Sequence, residues 1–206
     1  MPIGMLGKKV GMTQVFDEQG NAIPSTLLKV GPCTITAIKH EQEKKYAKIQ
    51  IGYEYADPNK LNKPIIGHFQ KHKLPCFKHL KEYKSNKWEQ LSIGQIINIS
   101  ELNKDNYITI CGISIGKGFS GYQKRHHFSR GPMSHGSKNH RAPGSIGAGT
   151  TPGRVFPGKR MAGRMGYQKV SIKNISILHI DIVHNILLIK GSVPGKKGNI
   201  IYIHQN

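Results

Sequence analysis

The sequence lacks any apolar run approaching the roughly 20 residues that span a lipid bilayer. Its opening, MPIGMLGKKVGMTQVF, lacks the charged and apolar blocks of a secretory signal and the Ser/Arg richness of a transit peptide. Its three cysteines, Cys33, Cys76 and Cys111, are odd in number and far apart, so no disulfide framework is expected. These absences predict a protein of a reducing compartment with no membrane partner.

Acidic residues are scarce. The chain has 11 Asp and Glu against 31 Lys and Arg, a formal net charge of +20, and no acid lies between Asp105 and Asp181. Such a charge repels itself and requires a polyanionic partner. Arginine is absent from most of the chain, because all six arginines fall between Arg125 and Arg164. Since the arginine fork grips phosphate at two points and stacks on bases, this stretch is the predicted contact with a phosphate polymer.

Catalytic motifs are missing as well. The motif GKGFSG at 116–121 is followed by QKRHHFSRGP, which is not a convincing βαβ helix, and it lacks the acid about 20 residues further on that a dinucleotide site needs. Its spacing from Gly112 is one residue short of a P-loop, and Gly118 replaces the magnesium-binding Ser or Thr. The remaining glycine-rich backbone, beside Lys117 and Lys124, can bind the phosphates of a polynucleotide. We therefore expect no enzyme, no cofactor and no small-molecule substrate.

Histidine is frequent, but its spacing does not predict a metal site. One group has spacing that could suit zinc: His68, His72, Cys76 and His79. The lysines in the same stretch disfavour a bound cation. A second group, with no thiol or carboxylate nearby, comprises His126, His127, His135 and His140. We expect the imidazoles of the second group to stack on bases or donate to phosphate, and we expect no metal.

Short β-branched segments bounded by turn residues dominate the rest of the chain, as in a small closed β-barrel. The predicted strands are 12–16, 22–30, 33–40, 46–53, 93–99, 107–115, 175–183, 185–191 and 199–204. The loop DEQGN joins the first two as a hairpin, and EQEKK joins the next two as a charged turn. The predicted fold class is mainly β, with residues 1–115 and 170–206 as the globular domain.

Two segments interrupt this domain. Residues 54–92 are predicted to be an insertion of loops and short helices, with Pro64 near a helix start, Pro75 after its end and Trp88 as an anchor. Residues 116–169 carry eleven Lys and Arg, no acid and frequent Gly and Pro. Backbone ordering costs about 1–2 kcal/mol per residue, which so little apolar surface cannot offset. We therefore expect this basic extension to gain its shape from a partner.

RNA is the polyanion that suits the extension best. A membrane surface calls for an amphipathic helix and DNA for a helix or ribbon in the major groove, and neither is evident here. An irregular basic arm can thread between RNA helices, contact phosphates and 2′-hydroxyl groups, and stack on unpaired bases. The predicted RNA-binding residues are Lys117, Lys124, Arg125, His126, His127, Arg130, His135, Lys138, His140, Arg141, Arg154, Lys159, Arg160, Arg164 and Lys169.

Longer motifs resemble those of a known family. IGMLGKKVGMTQVFDEQGN, KPIIGHFQKH, GISIGKGFSGYQKRHHF and PGRVFPGKRMAGRMG are similar to the bacterial-type large-subunit ribosomal protein three, over almost the whole chain. The resemblance implies a closed six-stranded barrel of the translation-protein type, with an extension that reaches toward the peptidyl transferase centre. It also implies binding near the 3′ end of the large ribosomal RNA, a part in nucleating subunit assembly, and large-subunit proteins fourteen and nineteen as neighbours.

The same resemblance assigns roles along the extension. The path inward would be lined by Arg125, Arg130, Arg141, Arg154, Lys159, Arg160 and Arg164. The tip near the peptidyl transferase centre would be formed by Gly144, Ser145, Ile146, Gly147, Ala148, Gly149, Thr150 and Thr151. Some bacterial members carry a methylated glutamine where this chain has Thr150, so that modification is not expected.

The cellular location of the protein can also be inferred from the sequence of the tip and from the amino-acid composition. The tip GSIGAGTTPGR is similar to cyanobacterial and plastid members, and Ile, Lys and Asn are heavily used. We therefore expect a structural protein of a plastid (chloroplast) ribosome, with the bacterial cytoplasm as the alternative location. The alternative function is a free RNA-binding chaperone outside the ribosome.

Overall fold

The computed structural model describes residues 3–40, 45–86 and 88–205. The chain forms two compact units. The globular unit comprises Met1–Ser114 and Lys169–Asn206, and the basic unit comprises Ile115–Gln168. The predicted turn EQEKK lies outside the described residues except for Lys45. That the basic unit reaches into RNA stays a prediction at this point.

The described residues form thirteen strands and two α-helices, and every paired strand is antiparallel. The strands are β1 (Ile3–Phe16), β2 (Ala22–Val30), β3 (Cys33–His40), β4 (Ala47–Tyr55), β5 (Phe77–Ser85), β6 (Ile96–Ile97), β7 (Ile108–Ile113), β8 (Gly118–Ser120), β9 (Gly163–Met165), β10 (Lys169–Ile175), β11 (Ile177–Asp181), β12 (Ile186–Lys190) and β13 (Ile200–Gln205). The helices are α1 (Lys63–Gln70) and α2 (Tyr122–His126). In the described ranges no helix has the length and apolar character needed to cross a membrane.

Two curled sheets make up the globular unit. The larger has the order β10-β7-β13-β1-β2-β12-β11, and the smaller has the order β5-β4-β3-β6. They meet where Lys8 of β1 pairs with Glu54 of β4, at 2.7 Å between Nζ and Oε1. The fold is mainly β, as predicted, and forms a half-barrel. The closed six-stranded barrel that the family resemblance implies is not confirmed by these ladders.

The core lies between the two sheets and follows the two-residue period of the strands. In β4, Ala47, Ile49 and Ile51 are buried, while Lys48 and Gln50 between them are partly exposed. Each fully buried aliphatic side chain stabilises the fold by about 1.5–3 kcal/mol relative to exposure. This alternation explains why the sequence predicts the β3–β4 pair, which the structure confirms.

Other predicted elements are confirmed with adjusted bounds. The hairpin of β1 and β2 is present, with Asp17 accepting the Asn21 amide across its loop. Helix α1 has Pro64 at its start, because a first-turn residue needs no amide donor. Trp88 stacks on His40 with ring centroids 4.4 Å apart and packs against the core, as expected of an anchor. The strand predicted at 93–99 is wrong in length, since only β6 forms there.

The prediction of loops and short helices for 54–92 is wrong in one respect. The nine-residue strand β5 lies in this segment and pairs with β4 along its length. Phe77 and Tyr83 of β5 face the interior, whereas Lys78, Lys81 and Lys84 are exposed. Lysine is typical of strands at the edge of a sheet, where it discourages pairing with another chain. Those lysines gave the segment the composition of a basic loop.

Candidate nucleic-acid interface

The basic unit begins and ends in a two-stranded neck formed by residues 115–120 and 163–168. Strands β8 and β9 pair there, with Phe119 opposite Arg164. The Lys117 amide donates to the Met165 carbonyl at 2.9 Å. Gly166 has φ of +73°, and a Cβ on it would collide with the Ile115 carbonyl, so the neck requires glycine at this position. The GKGFSG motif is thus part of a strand pair.

A short helix is attached to the neck by two side chains that bind one carbonyl. Helix α2 follows β8, and its Arg125 Nη1 donates to the Met161 carbonyl oxygen at 2.7 Å. The His126 Nε2 donates to the same oxygen at 2.9 Å. Gly163 lies so close that a Cβ there would be 2.5 Å from Arg125 Nη1. This Arg125–His126 clamp gives both residues an internal role beside the predicted RNA contact, and the guanidinium keeps further donors for phosphate.

The remainder of the basic unit, residues 128–162, has no regular secondary structure. Local bonds shape it: the Gly131 amide donates to the His140 carbonyl at 3.1 Å, and His140 Nδ1 donates to the Pro132 carbonyl at 2.9 Å. All eight residues of the predicted tip, 144–151, are exposed. Small exposed residues let another backbone or base approach closely. The structure therefore leaves the tip open to contact.

The predicted RNA-binding cations of the basic unit are mostly exposed. Outside the clamp, exposed side chains are those of Lys117, Lys124, His127, Arg130, His135, Lys138, His140, Arg141, Arg154, Lys159, Arg160 and Arg164. No acid occurs in this unit, so none of its own carboxylates can neutralise them. A phosphate polymer is the kind of partner that carries the matching counter-charge.

Exposed aromatic rings accompany these cations and were not predicted as site residues. Phe119 is 80% exposed and Tyr167 is 61% exposed. The Arg164 guanidinium carbon lies 5.0 Å from the Tyr167 ring centroid, and that of Arg154 lies 5.4 Å from the Phe156 centroid. Unpaired bases stack on such rings and guanidinium planes. The sequence feature that could have predicted these rings as site residues is their position in a stretch with few apolar residues and no acid.

Lys169 is placed differently from the prediction, which made it the last residue of the extension. It begins β10 in the globular unit and pairs with Ile113 of β7. There it lines a cleft of about 450 Å³ together with Lys78 and Lys81 of β5. The strand Lys169–Ile175 was missed because its exposed residues resemble the preceding basic segment. The cleft therefore brings Lys169, a predicted RNA-binding residue, together with two lysines of β5 that were not predicted as site residues.

The histidines with zinc-like spacing make other contacts. His68 Nε2 lies 2.8 Å from Gln50 Oε1, and His79 Nε2 lies 3.5 Å from Glu54 Oε2. Burial lowers the pKa of His79 below its ordinary value. Within residues 3–40, 45–86 and 88–205, no three His, Cys, Asp or Glu side chains are grouped so as to hold a metal ion.

Comparison with known proteins gives the family. The profile of ribosomal protein L3 matches residues 32–182. The chain belongs to the ribosomal protein L3 family. It is 59% identical over 205 residues to the large ribosomal subunit protein uL3c of Gracilaria tenuistipitata var. liui, with 100% of both chains covered. It is 53% identical over 203 residues to large ribosomal subunit protein uL3 of Trichormus variabilis, covering 98% of this chain and 96% of that protein.

Membership of the L3 family bears on several predictions. The family consists of structural ribosomal proteins, so the prediction that the chain is not an enzyme is confirmed. Family membership also implies ribosomal RNA and ribosomal proteins as partners. A further relative named uL3c, from Guillardia theta, is 53% identical over 203 residues, covering 98% of this chain and 100% of that protein. Relatives with this name support the predicted plastid ribosome.

Proposed function

We propose that the basic unit binds large-subunit ribosomal RNA directly, near its 3′ end, and that this binding nucleates subunit assembly. The observation that carries the proposal is an acid-free basic unit whose exposed arginines and lysines are accompanied by the exposed rings of Phe119, Phe156 and Tyr167. Cations fix the unit against phosphates, and rings stack on unpaired bases. The family membership of the chain supports RNA as the partner.

The tip has a different proposed role from the basic path. Residues 144–151 carry no charge and no nucleophile in an activated setting, and they are exposed. Such a segment can pack against RNA but cannot transfer a proton or form a covalent intermediate. We infer that the tip supports the fold of the peptidyl transferase centre, while the chemistry belongs to the RNA.

The globular unit anchors the basic unit in this proposal. Its two sheets correspond to the six-stranded barrel that the family resemblance implies, with large-subunit proteins fourteen and nineteen as neighbours. The cleft that holds Lys78, Lys81 and Lys169 supplies a second phosphate contact. The clamp of Arg125 and His126 holds the start and end of the basic unit together, so that its cations meet RNA in a fixed order.

Two sets of variants at the same three positions test the proposal, one that keeps the charge and one that removes it. One set changes Arg154, Arg160 and Arg164 to Lys, which keeps the charge and removes the two-point grip; the other changes them to Gln. Binding to a transcript of the 3′ region of the large ribosomal RNA is measured at several salt concentrations. The Lys set should bind about tenfold or more weakly with an unchanged salt slope. The Gln set should also lower the slope, by about 0.7–0.9 for each phosphate that is no longer neutralised.

Two results of this experiment would contradict the proposal. Wild-type affinity in both sets, or binding that does not respond to salt, would refute phosphate recognition by the basic unit. Assembly is tested separately by sedimentation, in which the wild-type chain should stay with the large subunit through a high-salt wash. Release of the wild-type chain in that wash would favour a free RNA-binding chaperone.

A further inference from the structure

One part of the globular unit has the opposite charge to the rest of the chain. Residues 10–28 contain no Lys, Arg or His, although the chain has 31 Lys and Arg and 11 His. Two of the 11 acids, Asp17 and Glu18, lie in this stretch. The stretch forms most of the β1–β2 hairpin, and the two acids lie in its loop. Phosphate binding does not explain why residues 10–28 of the hairpin carry no cation.

The hairpin presents an exposed, largely apolar face. Met12, Gln14 and Phe16 alternate along β1, and Pro24 and Ala22 lie opposite Gln14 and Phe16 on β2. Met12 is 52% and Phe16 is 62% exposed, and Gln14, Ala22 and Pro24 are also exposed. We call these five residues the hairpin face. Four of them, together with Thr13, line a shallow depression that does not include Phe16. Clustered exposed apolar side chains mark surfaces that bind protein.

The hairpin loop keeps a fixed negative charge beside this face. The Asp17 carboxylate accepts the Asn21 amide at 2.7 Å, the Gln19 amide at 3.0 Å and the Asn21 side-chain amide at 3.0 Å. The Asn21 hydrogen bonds hold the pKa of Asp17 below its ordinary value. The carboxylate is therefore ionised and held in place. A phosphate backbone would be repelled here, whereas the ammonium or guanidinium group of a basic protein would be attracted.

We propose that the hairpin face docks a basic protein of the large subunit. An apolar side chain of that partner covers Met12 and Phe16, and a Lys or Arg beside it pairs with Asp17 or Glu18. This arrangement has an apolar centre and a charged rim, as protein interfaces commonly do. The inference goes beyond the RNA contacts proposed above and does not depend on them, because residues 10–28 contribute no cation to this surface; Lys190 of β12, opposite Ser25, is the neighbouring cation that acts on Asp17.

Photo-crosslinking in assembled large subunits tests the inference. The probe is a benzophenone amino acid placed at Phe16, and in separate chains at Met12 and Gln14, so that one poorly incorporated variant does not decide the result. The same probe at Phe119, an exposed ring of the basic unit, serves as the comparison. After irradiation, the hairpin positions should form an adduct with one ribosomal protein that carries an excess of Lys and Arg. The Phe119 position should form an adduct with RNA.

Several outcomes would overturn the inference. They are an adduct of the hairpin positions with ribosomal RNA, an adduct with a second copy of this chain, and the absence of any protein adduct from all three positions. Lack of an RNA adduct at Phe119 counts only against the proposed RNA contacts. The two ideas therefore fail separately.

A pair of substitutions gives a second readout. Phe16→Lys combined with Asp17→Lys reverses the local charge and removes the apolar anchor. With the probe at Gln14, these changes should lower the yield of the protein adduct about tenfold or more, since central apolar anchors dominate interface affinity. Val183→Lys, at an 83% exposed position of the β11–β12 turn, is the matched control and should leave the yield unchanged. Equal yields in the two variants would contradict the assignment.

Discussion

Two glycines of the globular unit are under opposite steric conditions. A Cβ at Gly52 in β4 would lie 2.6 Å from the ring of Phe77, which is itself buried. At Gly67 in α1 a Cβ would meet no atom within 4 Å outside its own helix. Over-packing costs about 1–3 kcal/mol, whereas alanine in place of an exposed helical glycine gains about 0.5–1 kcal/mol. We expect Gly52→Ala to lower and Gly67→Ala to raise the free energy of unfolding in denaturant titrations, and shifts of the same sign would contradict this.

Glu54 and His79 make the stability of the globular unit depend on pH. The hydrogen bond from Lys8 holds the pKa of Glu54 below its ordinary 4.5, and burial holds the pKa of His79 below its ordinary 6.5. In both cases the unfolded chain binds protons more readily, so stability rises with pH and is lost as pH falls. The His79 contribution is lost as pH falls below about 6.5, and the Glu54 contribution below about 4.5.

Replacing Glu54 isolates the second of these contributions. Since the Lys8–Glu54 pair is about a third exposed, we expect Glu54→Gln to lower the free energy of unfolding at pH 7 by less than about 1 kcal/mol. The difference from wild type should shrink as pH falls below 4.5, because the wild-type carboxylate becomes protonated at its lowered pKa. Denaturation curves across this range measure it. Glu89→Gln, at an exposed acid in the turn after β5, is the control. A difference that grows toward low pH would refute the assignment.

The elements of the basic unit are held together by very few bonds. Helix α2 is fixed to the chain before β9 by the Arg125 and His126 hydrogen bonds to one carbonyl. Each such bond contributes about 0.5–1.5 kcal/mol. Replacing both residues with Ala should therefore speed amide exchange of Lys117, which donates to Met165, about tenfold or more, with no change in the globular strands. Arg130→Ala is the matched control, and equal acceleration there would show that the clamp has no special role.

Strands with clear alternation and turn residues at both ends could be predicted from the sequence, as β3 and β4 show. The first half of β1 was missed because GMLGKKVG contains three glycines, which usually weaken strands. The structure gives the reason for two of them. A Cβ on Gly4 would lie 2.7 Å from Tyr83 and Tyr202 atoms, and one on Gly7 would lie 2.9 Å from the Lys29 carbonyl. Glycine at these points permits close approach across the core, a tertiary requirement invisible in a local pattern.

The candidate site also has one part that the sequence predicts and another part that depends on tertiary contacts. The concentration of arginine and the missing acids are properties of sequence, so the exposed cations such as Arg154 and Arg160 could be predicted. The Arg125 contact with Met161 joins residues 36 positions apart in an irregular segment. No periodicity in the sequence predicts this hydrogen bond. Lys169 was assigned to the wrong unit because charge alone cannot tell an exposed edge strand from an arm. The RNA contacts themselves stay a prediction.

The whole molecule combines two surfaces of different character, for which we propose different partners. The basic unit and the cleft of the globular unit concentrate positive charge, while the hairpin face excludes it. Because charge-dependent and apolar contacts respond oppositely to salt, the two kinds of association can be separated in one preparation. Rising salt should weaken the RNA contacts first and leave the hairpin contact largely in place.

Removing the basic arm tests this division directly. Ser120 and Gly163 are paired in the neck, so an Asn-Gly turn can replace residues 121–162 and close β8 and β9 as a hairpin. The change removes eight Lys and Arg and no acid. We expect the globular unit to keep its melting temperature, because its core lies in the two sheets. The salt slope for ribosomal RNA binding should fall by as much as about 6–7, at roughly 0.7–0.9 for each phosphate that the arm had neutralised.

The hairpin face offers an internal control for the shortened chain. In mixtures of purified large-subunit proteins without RNA, the benzophenone probe at Phe16 should give the same protein adduct with and without the arm, because residues 10–28 are untouched. A general loss of β-structure in circular dichroism would instead mean that the globular unit needs residues 121–162 to fold. An unchanged salt slope would mean that the phosphate contacts lie on the globular unit, around Lys78, Lys81 and Lys169, and the arm would then have no primary part in RNA binding.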